Sequence, residues 1–285
     1  MKSYLRFLSR NKLYTAIEVV GLSVALAFVL IIGSYVWQEY SISRENPDYE
    51  RIYIPTQSMP YGIFEPMKEQ IPEIEKITLV NSFDDVVMEC DDERLVTRGL
   101  AVRGDFFDIF DYEFLIGDAG CLESYTDIVI SESYAAKLAG KPELAVGMKI
   151  VPVDYPSQAY TVTGIIKDFD QNYWKYMDFI CKGESPLNDS AQKNPIFTLS
   201  ATAFIKVAEA ADVDGLEGKI QDIFRQLWGE KLNAAMIDQF TIDIGIERFD
   251  KLYFSGEMID SYLNMGDRSQ IIILLIVSLL LLVSA

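Results

Sequence analysis

The chain has 285 residues, three cysteines, no histidine and a formal net charge of −18. Without histidine there is no imidazole to ligate zinc, act as a general base or complete a serine–histidine pair. The first 16 residues carry +4, leaving −22 on the rest, and so acidic a region is a poor match for nucleic-acid phosphates or anionic lipid heads.

Residues 1–16 read as a cytoplasmic juxtamembrane segment. Lys2, Arg6, Arg10 and Lys12 precede any acidic residue, and the positive-inside rule places them in the cytoplasm. The stretch "YLRFLSRNKLY" interleaves basic and apolar residues. It is either a short amphipathic helix on the inner membrane surface or simply the positive flank of the apolar run beginning at Ile17.

Residues 17–38 read as a transmembrane helix. From Ile17 to Trp37 the only charge is Glu18, and 21 helical residues reach about 31 Å, matching a hydrocarbon core of roughly 30 Å. A signal peptide has an apolar stretch of only about 7–15 residues, and the small-x-small triplet Ala25-Leu26-Ala27 falls in the middle of the run, the wrong place for cleavage. Tyr35, Trp37 and Tyr40 form an aromatic cluster suited to the outer interface.

Residues 39–268 have room for one large domain or two small ones. "ERIYIPTQ" is a strand pattern, and "YGIFEPMKEQI" a helix closed by Pro72. "IEKITLVNSF", "DVVMEC" and "RLVTRGLAVR" alternate as three strands. "GDFFDIF" is a helical turn with Asp105 at its N-cap. In "TDIVISESYAAKLAG" a strand gives way to a helix capped by Ser131 and ended by Gly140. "VGMKIVPV" and "AYTVTGIIKDF" form a strand pair around Pro156 and Ser157. From about 171 to 240 the composition shifts to a loop-rich insertion or second subdomain, beginning "DQNYWKYMDFICKGESPLNDSAQKNP". Within it "TLSATAFIKV" is a strand. Leu216, Ile220, Ile223, Phe224 and Leu227 stripe an amphipathic helix, the pattern of core packing. "FTIDIGIERFDKLYF" is a last strand leading to the membrane. The fold class expected is α+β: a mixed sheet with flanking helices in two subdomains, between two transmembrane helices.

Residues 269–285 read as the start of a second transmembrane helix. Ile271 to Ala285 is uncharged but only about 22 Å long as a helix, so the span is expected to continue past residue 285, with Asp267 and Arg268 outside.

No catalytic, cofactor or metal residues are expected. "LAGKPE" lacks the upstream glycine and the Ser/Thr of a phosphate loop, and no G-x-S-x-G elbow occurs. Asp84-Asp85, Asp91-Asp92-Glu93, Asp168 and Asp170 are clusters that 43 acidic residues produce by chance. Asp168, Asp170 and Asn172 begin like a calcium loop, but Tyr173 and Phe179 stand where glycine and glutamate are needed. Cys90, Cys121 and Cys181 allow one disulfide and one thiol, or three thiols.

The order of several segments carries a resemblance. "NKLYTAIEVVGLSVALAFVLII" is similar to the first transmembrane helix of FtsX/MacB-type ABC transporter permeases, in particular the Bacteroidetes branch. "RGDFFDIFDYEFLIGD" resembles their D-x-F-F-x-x-F…G-D segment. "TDIVISESYAAKLAG", "VGMKI" and "YTVTGIIKDF" resemble later elements of the same domain, with Ala145 where a proline usually precedes Val-Gly. "LYF…GDRSQIIILLIVSLLLLVSA" resembles the entry to the second membrane helix. The resemblance implies a non-catalytic permease subunit in the bacterial inner membrane, multi-pass at full length, with its main domain periplasmic. It also implies a cytoplasmic ABC ATPase as partner, a second permease copy or half, and a periplasmic adaptor or outer partner. ATP hydrolysis by the partner would move the periplasmic domain, in efflux of macrolides or peptides, lipoprotein export, or control of cell-wall hydrolases. Two other classes remain open on the residues alone: a membrane-anchored sensor and a cell-wall enzyme. Of the named positions, Lys2, Arg6, Arg10, Lys12, Tyr35, Trp37, Tyr40 and Arg268 are expected to set topology and anchoring at the membrane lipid.

Overall fold

The computed structural model describes residues 12–91, 93–169, 173–183, 200–209, 211–234, 244–255 and 262–284. The basic residues Lys2, Arg6 and Arg10, and much of the stretch from 171 to 199, lie outside them.

Helix α1 runs unbroken from Lys12 to Ser41. It is apolar all round, and long and apolar enough to cross a membrane; Ala25 is its buried residue. Beyond it lies a domain of strands and short helices. β1 is Ile52–Pro55, β2 Met59–Pro60, α2 Phe64–Gln70, β3 Ile74–Cys90 and β4 Glu93–Gly104. Then come α3 Phe106–Ile109, β5 Phe114–Ile116, β6 Asp127–Ser131, α4 Glu132–Ala139, β7 Lys149–Pro152 and β8 Tyr160–Ile166. The domain ends with β9 Phe179–Lys182, β10 Ser200–Val207, α5 Leu216–Ala234, β11 Ile246–Arg248 and α6 Phe249–Leu252, and α7 Arg268–Ser284 packs back along α1. The fold is α+β with a mixed sheet and flanking helices, as the alternating and helical periods predict.

The strands divide into two regions that share one long hairpin. In the open region the order is β11-β1-β10-β3-β4. Side chains alternate along each strand. In β10, Phe204 points to one core, while Ala203, Ile205 and Val207 point to another beneath α2 and α5. Leu216, Ile220, Ile223 and Phe224 of α5 are buried on that second face, with Trp228 extending the predicted stripe. In the other region β3, β4, β9, β6, β8 and β7 pair in turn, and β7 returns to β3 at Met88 and Glu89. This ring closes around a third core that includes Ile128, Ile130, Tyr134, Tyr160, Phe179 and Cys181. Closure removes exposed strand edges.

β3 replaces two of the expected strands. Asp84 and Asp85 are not a break but a bulge between Phe83 and Val86, with Asp85 at φ 54, a backbone state that aspartate tolerates better than most residues. The bend lets the strand serve the open sheet with one half and the ring with the other. β9 is the second difference. "FICK" lies within the stretch expected to be loop-rich, yet it pairs parallel with β4 and antiparallel with β6. Four residues are too short for periodicity to distinguish. The third is the last strand, which is only three residues long before the chain turns into α6.

The capping signals act as expected at α4. Ser131 Oγ accepts from Tyr134 N, and Gly140 ends the helix at φ 73. At α3, Asp105 occupies the N-cap without a side-chain bond into the helix. Its carboxylate instead accepts from Ile77 N and Lys68 Nζ, each at 3.3 Å, tying α2, β3 and α3 together.

Candidate functional site at the helix–domain junction

The chain enters the domain at the end of α1 and leaves it ahead of α7, and both joins meet the same two rings. The Tyr253 hydroxyl donates to Glu39 Oε2 at 2.8 Å. Tyr40 packs on Phe254 with ring centroids 5.0 Å apart, and Tyr253 meets Phe254 edge-on at 4.8 Å. From the other join, the Arg268 guanidinium lies 5.8 Å from the centre of the Phe254 ring, within cation–π reach. Gly266 N donates to Tyr253 O at 2.8 Å. A Cβ at Gly266 would stand 2.2 Å from the Tyr253 ring, so only glycine allows this approach.

The segment after α1 is then stitched into the sheet. Ile42 is buried in the same core as Phe249 and Leu252. Asn46, also buried, donates from Nδ2 to Ile109 O at 2.8 Å. Arg51 pairs with Asp48 and Glu75 and donates to Val207 O at 2.9 Å, while Lys206 reaches Asp48 at 2.5 Å. Asp267 heads α7, its carboxylate accepting from Ser269 N at 2.7 Å. On the helix pair itself, Ala25, Ile271 and Ser278 are buried, and a small residue such as alanine lets two helices approach closely.

Of the residues singled out from sequence, Lys12 is the first of α1 and exposed, and Tyr35 and Trp37 are exposed on its later turns, Trp37 by 77%. Tyr40 and Arg268 are brought together around Phe254, and Tyr35 meets the Glu39 carboxylate of the same cluster; Trp37 is exposed. Glu39, Tyr253 and Gly266 are members that the sequence does not reveal. Nothing in the local pattern marks them, because each acts through a partner distant in sequence. Burial, then the Glu39 carboxylate, pushes the Tyr253 phenol above its ordinary range, so it stays a donor. A cavity of about 320 Å³ opens beside the junction, lined by Thr56, Glu247, Lys251, Phe254, Ser255 and Arg268 among others.

Of the remaining candidates for chemistry, Asp92, Asp170 and Asn172 lie outside the described residues. Asp168 accepts from both the backbone N, at 2.8 Å, and the hydroxyl of Ser133 at the start of α4. Cys90, Cys121 and Cys181 are all free thiols, two of them buried. Among the described residues no group of three or more His, Cys, Asp or Glu is arranged to hold a metal ion.

The arrangement defines a class: an α+β domain held at both ends by apolar helices, with polar and aromatic contacts gathered where the two joins meet. Residues 15–223 match the model of the MacB-like periplasmic core domain, and the chain belongs to that family. The family is a component of ABC-type transporter permeases. In fold, a domain described as part of a permease protein of Porphyromonas gingivalis is similar, with TM-score 0.55 and 18% identity over 70% of this chain and 90% of that one. The periplasmic region of MacB from Actinobacillus actinomycetemcomitans aligns at TM-score 0.49 and 11% identity, over 70% and 90% of the two chains. No curated protein matches the chain in sequence.

Proposed function

We propose that this chain is the permease subunit of an ABC transporter in the bacterial inner membrane, multi-pass in its complete form, whose periplasmic domain is moved by ATP hydrolysis in a separate cytoplasmic ATPase. In this reading the segment 1–16 is cytoplasmic, 17–38 crosses the membrane and 39–268 is periplasmic. Residues 269 onward re-enter the bilayer beside the first span. Lys2, Arg6, Arg10 and Lys12 hold the inner side, and Tyr35, Trp37 and Tyr40 mark the outer interface. Arg268 sits at the lipid heads, where the cavity it shares with Lys251 faces the headgroup layer. A second permease copy or half completes the transmembrane unit, and an adaptor or outer partner receives the motion.

The observation that supports the reading is the set of contacts that clamps the junction. α1 continues as one helix to Ser41 and is clamped to the domain by Glu39–Tyr253 and Tyr40–Phe254. A tilt of the helix therefore turns the domain instead of being lost in a flexible linker. The test is an insertion of about ten Gly/Ser residues after Glu39 in the permease assembled with its ATPase. ATP hydrolysis is expected to persist while transport, or activation of the outer partner, is lost. Normal transport by the lengthened protein would refute mechanical coupling through this join.

A further inference from the structure

The cavity beside the junction, about 320 Å³, is at the small end of ligand-sized sites. Three elements supply its charges. Glu247 is held in β11, in register with Ile54 of β1. Lys251 comes from α6, and Arg268 from the first turn of α7. Leu252 and Phe254 give the cavity an apolar side. The Phe254 ring meets Tyr40 at the end of α1 and Arg268 at the start of α7. The cavity therefore lies beside the ends of both apolar helices.

Its charges are not satisfied by one another. Among the described residues, neither Lys251 nor Glu247 has an ion pair or a side-chain hydrogen bond, and the Arg268 guanidinium meets the Phe254 ring with no carboxylate partner. Two cations and one carboxylate beside an apolar wall suit a group that carries a phosphate and an ammonium a few bonds apart on an apolar anchor. A bare anion would face Glu247, and a bare cation would face Lys251 and Arg268. The chain beyond residue 16 carries a net −22, which repels headgroups of net negative charge and leaves zwitterionic ones indifferent. We propose that this cavity seats the headgroup of an ethanolamine phospholipid. Its phosphate lies on Lys251 and Arg268, its primary ammonium on Glu247, and its glycerol end against Leu252 and Phe254. The inference rests on the reading that α1 and α7 enter the bilayer at this junction. A choline head has the same charges but no N–H to give to Glu247, and a glycerol head has no cation.

The test is lipid retention by the full chain in detergent, read by native mass spectrometry. Phosphatidylethanolamine, phosphatidylcholine and phosphatidylglycerol with identical acyl chains are added singly and in competition. Phosphatidylethanolamine is expected to be held up to about fivefold more tightly than the other two, the scale of one exposed ion pair. Glu247→Gln should remove that preference and strengthen phosphatidylglycerol, a gain that misfolding does not produce. K251A/R268A should weaken all three. Soluble O-phosphoethanolamine at about 10 mM should displace little lipid, because it lacks the apolar anchor. Equal retention of the three lipids, a preference unchanged in E247Q, or full displacement by O-phosphoethanolamine would each overturn the assignment. Trp37, 77% exposed on α1, separates this failure from failure of the membrane reading. In nanodiscs of brominated lipid its fluorescence should be quenched relative to unbrominated lipid. Quenching without a headgroup preference sinks the site alone, and absence of quenching sinks both.

Discussion

The Tyr253 hydroxyl and the Glu39 carboxylate, 214 positions apart in the chain, meet at 2.8 Å. Their bond ties the last turns of α1 directly to the segment leading out to α7. A hydrogen bond to a carboxylate in a half-buried site is worth about 1.5–3 kcal/mol. Tyr253→Phe and Glu39→Gln should therefore each lower stability while leaving the fold intact. In a double-mutant cycle the two should couple by about 1–3 kcal/mol. Purely additive effects in thermal or denaturant unfolding would mean that the two joins are not held together by this contact.

Trp174 provides a test of the core beneath the junction. Its ring meets Phe106 at 6.0 Å, Phe110 at 4.9 Å, Phe204 at 5.7 Å and Tyr262 at 5.5 Å, and the side chain is buried. Trp174→Ala should cost about 3–5 kcal/mol, the range for emptying an aromatic site in a packed core. The measurement is a shift in the urea midpoint at unchanged slope. A loss below about 1 kcal/mol would place the indole outside the core.

These two sites also show what the sequence makes legible. α1 is legible because a 21-residue apolar run has few structural meanings, and α4 because Ser131 and Gly140 act on backbone groups within a few residues of themselves. The β7–β8 pair announces itself by alternation on both sides of a turn. Trp174 and β9 are hidden for a different reason. Their surroundings are polar and aromatic, and they are buried by β4, β6 and the rings of Phe110 and Phe204, none of them local. The Asp84-Asp85 pair misleads in the opposite sense: aspartates are depleted in strands, but here a bulge absorbs them and β3 stays paired with β4 on both sides, with its register shifted across the bulge. At the junction Tyr35, Tyr40 and Arg268 are legible, through their residue types at membrane edges. Glu39, Tyr253 and Gly266 owe their roles to chain closure.

The buried thiols predict an alkaline limit to stability. Burial pushes Cys181 from 9.0 to about 12, and Cys90 is also raised, by burial first and then by Asp91 and Glu93. A thiol whose folded value is raised contributes fully below its unfolded value, and that stability is lost as pH climbs toward the folded value. Above pH 9 the unfolded chain releases the Cys181 proton while the fold keeps it, so unfolding free energy should fall by up to about 1.4 kcal/mol per pH unit from this thiol, and Cys90 acts in the same direction. The phenols of Tyr134 and Tyr160, raised chiefly by burial, join in only above pH 10. Cys181→Ala should lower stability at pH 7 but reduce the slope between pH 9 and 10. An unchanged slope in urea titrations across that range would show that Cys181 does not sit in the dry interior of the strand ring.

Topology can be tested with a single engineered thiol. The basic residues before Ile17 predict that the domain faces away from the cytoplasm. Leu144, after α4, is 64% exposed, so a cysteine there disturbs no packing and is open to reagent. Cys90 and Cys181 are buried and Cys121 is half-buried, so a Cys121→Ser background leaves the new thiol as the principal target. In spheroplasts, L144C should react with a membrane-impermeant maleimide as fast before lysis as after it. The half-buried thiol in the parent should lag behind, because Cys121 Sγ already accepts from Asp118 N at 3.3 Å and packs against Gly164. Labelling of L144C that begins only once the membrane is broken would put the domain in the cytoplasm. The order of charges around α1 would then have the opposite meaning, and the junction could not deliver motion to the periplasm.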